Sequence, residues 1–180
     1  MRDLLLDVDG VCADFSGALI SAVGSDLKVE NVTRWDILGL FTIEQRELAY
    51  DYLADPEFWR SLPVIEGAEE GVPVLEVTHN ILWVTSPWAS CEGWEDARRA
   101  WLNEHFNMDE KGQPYHPRSD KENIAGDAMI DDKPSNVEKW AAAHPKGKAY
   151  LFDAPYNRDF DWPRITWDRI LKTRSLWGAL

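Results

Sequence analysis

The chain has 180 residues, 44% apolar and 28% charged, a composition that excludes disorder and suits one domain or one core with an insertion. Lys and Arg number 19 against 32 Asp and Glu, for a formal charge of −13. That excludes a nucleic-acid polymer as the natural partner, since little positive surface is available to replace counterions.

In chain order, residues 3–7 (Asp-Leu-Leu-Leu-Asp) predict a short strand too apolar to alternate, hence buried on both faces. A helix is expected over 13–23, with Phe15, Leu19 and Ala22 or Val23 on one face. Residues 25–65 change character: Trp35-Asp-Ile-Leu, a helix over 43–54 after Thr42, then Pro56, Phe58 and Trp59. A small helical insertion explains them better than a sheet does. A helical pattern covers 66–78, where Pro73 should kink or delay the helix. Residues 81–85 predict a second strand, and 92–105 an amphipathic helix with Trp94, Ala97 or Arg98, Trp101 and Leu102 spaced by three and four. Residues 106–119 read as loop. A third strand is expected over 127–131, and a helix over 134–143 with proline in its first turn. A fourth strand over 148–152 and a last helix over 166–175 complete the pattern. Strands alternating with helices imply an α/β fold: a Rossmann-like, doubly wound parallel sheet covered on both faces, with any site at the carboxyl ends of its strands.

No apolar run approaches the roughly 18 residues that span a bilayer, and Asp7 breaks the first one, so neither membrane insertion nor a secretory signal is expected. Cys12 and Cys91 offer no disulfide framework, so they read as small buried residues and the cytoplasm as the compartment. His79, His105, His116 and His144 lack metal-like spacing and read as surface or loop residues. Ten tryptophans are explained mainly as core, with Trp35 and Trp59 kept as candidates for stacking on a flat ligand.

Three predicted strands end in polar clusters: Asp7-Val8-Asp9-Gly10, Thr85-Ser86-Pro87 and Asp131-Asp132-Lys133, with Lys121 ten residues before Asp131. Taken singly, a carboxylate at a strand end is solvated, Thr-Ser caps a helix, and a lysine lies on the surface. Together on one sheet edge they demand another account. Asp7, Asp9, Asp131 and Asp132 would repel one another, and a hard cation would relieve them. Oxygen-only ligands favour Mg²⁺ over Zn²⁺. Asp127 reads as a structural acceptor at a strand start, and Gly10 as a site of close backbone approach.

On these residues the chain resembles the haloacid dehalogenase superfamily: Asp7-x-Asp9-Gly-Val, Thr85-Ser86, Lys121 and Gly126-Asp127-x-x-x-Asp131-Asp132. Phe15, Arg34-Trp35-Asp36, Phe58-Trp59-Arg60-x-Leu62-Pro63, Asp120-Lys121 and Leu151-Phe152-Asp153-x-Pro155-Tyr156-Asn157 further resemble the 5′(3′)-deoxyribonucleotidase family, over residues 4–171. The resemblance implies a core of residues 1–16 and 66–180 with a helical cap over 17–65. It also implies Asp7 as nucleophile in an aspartyl-phosphate route and Asp9 as leaving-group acid and then base. Thr85 and Ser86 would hold phosphoryl oxygens while Lys121 balances charge. Mg²⁺ would be held by Asp7, the Asp9 carbonyl and Asp132, with Asp131 ligating or orienting. Phe15, Phe58 and Trp59 become candidates for the sugar and Trp35 for the base of a nucleoside monophosphate. A phosphatase for another small phosphomonoester, such as a sugar phosphate, is the second reading, and a catalytically silent nucleotide-binding module the third. A homodimer is left open.

Overall fold

Leu4, Leu5 and Leu6 are wholly buried in β1 (Arg2–Asp7), the first strand of a computed structural model that describes residues 1–176. α1 (Phe15–Ala22) follows, its first turn closed by the Asp14 carboxylate accepting from the Gly17 N–H. After α1 come two short 3₁₀ turns, then α2 (Ile43–Ala54) and α3 (Pro56–Arg60). α2 starts where expected because Thr42 and Gln45 form a reciprocal capping box, and α3 because Asp55 caps it and Pro56 fills its first position.

α4 (Ala68–Glu76) holds Pro73 inside one continuous helix. Pro73 and Glu69, whose carbonyl it leaves without a helical partner, are both exposed, so water can take up the bond that proline removes. β2 (His79–Thr85), α5 (Trp94–Phe106), β3 (Tyr115–Pro117), β4 (Ala128–Asp131) and α6 (Pro134–Ala143) come next, then β5 (Lys148–Phe152), β6 (Arg164–Ile165) and α7 (Trp167–Thr173).

All pairings between these six strands are parallel and the order is β3-β2-β1-β4-β5-β6, a doubly wound sheet. Two strands escape the sequence pattern. β3 lies in the expected loop over 106–119 and β6 precedes the last helix; with three and two residues, neither can show a period. His79 also departs from expectation: it opens β2 almost wholly buried, and burial lowers its ring below the ordinary histidine range. The tryptophans do serve the core, and several indole N–H groups tie elements together. Trp101 donates to Leu62 O, Trp140 to Ile124 O and Trp167 to Val11 O in the loop after β1. Ile37, Phe41, Ala49, Leu53 and Phe58 share one core with Leu4 and Leu6, so the segment between α1 and α4 packs directly on the sheet's own core. No helix among the described residues is long and apolar enough to cross a membrane.

Candidate active site

Sheet register brings the polar strand ends together. Asp7 lies opposite Val84, one residue before Thr85, and Leu6 lies opposite Ile130, which sets Asp7 beside Asp131. Carboxylate oxygens of Asp7, Asp131 and Asp132, all buried, lie within 4.8 Å of one another. Lys121, on a short turn before β4, reaches between them: its Nζ is 2.7 Å from Asp7 Oδ1 and 2.7 Å from Asp131 Oδ2. The four groups differ in what they leave open. Asp131 accepts on Oδ1 from Lys133 N and on both oxygens from Asn136, so it is saturated. Asp7 Oδ1 takes Lys121 and Val8 N, leaving Oδ2 without a hydrogen bond from any described residue. Asp132 accepts the Tyr156 hydroxyl on Oδ2, and no other described residue donates to its Oδ1.

Three carboxylates against one ammonium is an unbalanced charge set, with each like pair at about 4 Å worth about 4 kcal/mol at an effective dielectric near 20. The protonation equilibria respond accordingly. Burial pushes the Asp7 carboxyl well above the ordinary range, with Asp131 adding and Lys121 opposing. Burial likewise pushes Asp132 up to about 7, with Asp131 adding and the Tyr156 hydroxyl opposing. For Lys121, burial alone would lower the ammonium, but the charges of Asp131 and Asp7 outweigh it and hold it above its usual value. The residues therefore fit a hard divalent cation: the donors are all oxygen, buried, in excess of positive charge and partly open.

The loop after β1 turns Asp9 away from this cluster. Its Oδ1 lies 2.7 Å from Nη2 of Arg98 on α5, and its Oδ2 accepts from the Thr85 hydroxyl at 3.3 Å. Gly10 permits the close approach foreseen for it: φ is +78°, and a Cβ there would lie 2.4 Å from Asp132 Oδ2. Its N–H, however, is committed to Ala13 O at 2.9 Å, so it is not a free amide for an anion. Ser86 is exposed beside the buried Thr85, and neither caps α5, whose N-cap is Gly93. Asp127 is the structural acceptor expected, taking the Asp3 N–H at 2.9 Å.

The aromatic candidates separate into two places. Phe15 stacks on Trp59 at 5.5 Å between ring centroids and meets Phe58 edge-on at 6.3 Å. Phe58 and Trp59 are buried, Phe15 half-buried. Trp35 stands apart, 52% exposed, with Lys133 Nζ 3.5 Å from its ring centroid, directly after the Asp131–Asp132 pair. A cavity of about 560 Å³ opens between α1 and α3; Phe58 lines it, but none of the strand-end acids does.

Residues 2–173 match the family described as 5′ nucleotidase, deoxy (pyrimidine), cytosolic type C protein (NT5C). The chain belongs to this family. A Bordetella pertussis protein provisionally named 5′(3′)-deoxyribonucleotidase is 33% identical over 172 residues, spanning 91% of this chain and 90% of its own. The mouse mitochondrial 5′(3′)-deoxyribonucleotidase is 28% identical over 165 residues, 86% of this chain and 74% of its own. Among solved structures, a haloacid dehalogenase-like hydrolase of Burkholderia xenovorans superposes with a TM-score of 0.54 at 12% identity, covering all of both chains. A magnesium-bound hydrolase of the same superfamily from Bacillus subtilis also gives 0.54, at 15% identity, over 97% of this chain and 99% of its own. The fold is thus that of haloacid dehalogenase-like hydrolases, and this chain is a nucleotidase-family hydrolase within it.

Against that family frame, sequence reasoning overlooked three side chains. Tyr156 and Asn157 entered only as part of a motif, yet Tyr156 bonds the Asp132 carboxylate and Asn157 Nδ2 holds Asp132 O at 2.8 Å. Arg98 entered only as one choice for a helix face. Its signal was legible: a charged residue on the same face as Trp94 and Trp101, at spacings of four and three, belongs to a core position and needs a buried partner.

Proposed function

We propose that the protein is a Mg²⁺-dependent phosphomonoesterase that hydrolyses deoxyribonucleoside monophosphates through an aspartyl-phosphate on Asp7. The observation that carries this reading is the buried Lys121 ammonium shared between Asp7 and Asp131 at 2.7 Å each, with Asp7 Oδ2 left open. In the first step Asp7 Oδ2 forms a bond to phosphorus while the bond to the sugar oxygen breaks, and the Asp9 carboxyl gives that oxygen a proton. In the second step a water oxygen attacks phosphorus, Asp9 takes its proton, and the Asp7–phosphorus bond breaks to release phosphate. Thr85 and Ser86 hold phosphoryl oxygens, and Lys121 offsets negative charge on Asp7 and the phosphoryl group. Asp7, the Asp9 carbonyl and the Asp132 carboxylate would hold Mg²⁺, with the saturated Asp131 orienting Lys121 and the loop. When bound, the ion supplies the positive charge that lets an anionic phosphate approach an acidic edge.

Phe15, Phe58 and Trp59 offer an apolar surface where a ribose would place its 2′-hydroxyl, and Trp35 a ring face for the base. With this reading go a core of residues 1–16 and 66–180, a cap of 17–65 and a cytoplasmic location; residues 177–180 lie outside those described. The test is phosphate release from a panel of ribonucleotides, deoxyribonucleotides and sugar phosphates, with Mg²⁺ and with chelator. Deoxyribonucleotides should lead the panel, and only with Mg²⁺. A sugar phosphate as best substrate, or no release from any member, would overturn the reading.

A further inference from the structure

Arg98 is the one wholly buried arginine among the described residues, and its environment is unusual for such a charge. A buried guanidinium ordinarily spreads its five donors over carboxylates and carbonyls, because each unmet donor adds to the cost of desolvation. Here Nε and Nη1 have no hydrogen-bond partner, and the only polar contact runs from Nη2 to Asp9 Oδ1 at 2.7 Å. The rest of the group is enclosed by rings: its Cζ lies 5.3 Å from the Trp59 centroid, 5.6 Å from Trp101 and 5.8 Å from Trp94. Cation–π attraction replaces the missing acceptors and fixes the guanidinium laterally. Trp94, Arg98 and Trp101 come from one face of α5, while Trp59 comes from α3 and also stacks on Phe15.

We infer that Arg98 is a positioning residue, which acts by holding Asp9 in the one orientation that serves proton transfer. Arg98 is buried and the Asp9 side chain is 25% exposed, so the oxygen that Arg98 grips is directed inward. Oδ1 is thereby occupied, and Oδ2, steadied by the Thr85 hydroxyl, is the oxygen that exchanges the proton. Proton transfer requires heavy atoms within about 3 Å, so a carboxylate free to rotate would lose much of its effect. The cage also joins the two halves of the site, because Trp59 touches Arg98 and stacks on Phe15.

This inference rests on the phosphatase reading, and the test separates them. Arg98→Met and Arg98→Lys are compared with wild type on dUMP and on p-nitrophenyl phosphate, whose leaving group departs without a proton, by the rate of leaving-group release in a single turnover, which reads the first step alone, with folding checked by thermal melting. Arg98→Met should slow that release from dUMP about a hundredfold, the scale of lost general-acid catalysis, while release of nitrophenol from the aryl phosphate changes little. Arg98→Lys, which keeps the charge, should recover much of the dUMP rate. Equal losses on the two substrates in a folded variant, or an unchanged dUMP rate, would overturn the inference. If Arg98→Met does not fold, the same substrate comparison is read from Arg98→Lys, where a smaller loss confined to dUMP is expected and an equal loss on both substrates overturns it. A wild-type protein inactive on every phosphomonoester would overturn both readings, whereas an active wild type with unselective variants overturns this one alone.

Discussion

Asp7, Asp131 and Lys121 meet at the ends of two neighbouring strands and the turn before one of them, within hydrogen-bond distance. Phe15, Phe58 and Trp59 come from two helices and meet only ring to ring. The first group is placed by ladder register, so each carboxylate has one position, and burial with like charge holds the set under electrostatic tension. The second group is placed mainly by ring packing, with one directional bond from the Trp59 indole N–H to Leu53 O at 3.0 Å, and packing tolerates rearrangement at modest cost. Substitutions among the acids and their lysine should therefore act as switches. Substitutions among the aromatics should act as adjustments.

The largest effect is expected for Asp7→Asn, which should lower kcat by at least about 10⁴-fold, as loss of a nucleophile does elsewhere, while leaving the fold intact. Steady-state rates and a melting curve check both halves, and substantial turnover by the purified variant would break the contrast. Lys121→Met comes next. It leaves Asp7 and Asp131 buried without their shared cation, and removing one partner of a buried pair costs about 3–5 kcal/mol. Urea unfolding of the metal-free protein should show that loss, whereas a loss below about 1 kcal/mol would mean the acids are not held in tension.

A third prediction uses pH. Asp132, at about 7 in the fold, is raised above its value in the unfolded chain, near 4. Such a group favours the folded state fully below the unfolded value, and that contribution is lost as pH rises through about 7. Without metal, the stability of wild type relative to Asp132→Asn should fall between pH 5 and pH 8, and saturating Mg²⁺ should remove the fall. A difference that stays flat with pH in chelator would contradict the charge argument.

The smallest effect belongs to the aromatics. An unpaired 2′-hydroxyl buried against Phe15, Phe58 and Trp59 costs ~1–3 kcal/mol, so dUMP should be preferred to UMP by between a few-fold and roughly a hundredfold. Trp35→Ala should weaken nucleotide use more than aryl phosphate use, since only a nucleotide carries a base. Equal kcat/KM for dUMP and UMP would reduce the aromatic group to a hydrophobic roof.

The same contrast decided what could be read from the sequence. The bounds of α2, α6 and β5 follow from a capping box, a first-turn proline and an apolar run, all local signals. The acids were legible because strand ends in a parallel sheet must converge on one edge. What remained hidden depends on tertiary approach. β3 and β6 are too short to carry a period, His79 is buried where β2 pairs with β1, and the partner of Arg98 emerges only when Asp9 turns toward α5. The aromatic residues could be picked out by type, but their division into a packed trio and a separate Trp35–Lys133 pair could not.

The central claim is that Asp7 is phosphorylated during turnover, and rapid quench of Asp9→Asn with ³²P-labelled p-nitrophenyl phosphate and Mg²⁺ tests it most directly. Without the Asp9 base the second step should be slowed, while the aryl leaving group needs no proton in the first. The account predicts a burst of nitrophenol approaching one per enzyme, with the label on the peptide that contains Asp7. Steady nitrophenol release with no burst, and all label in free phosphate, would contradict it.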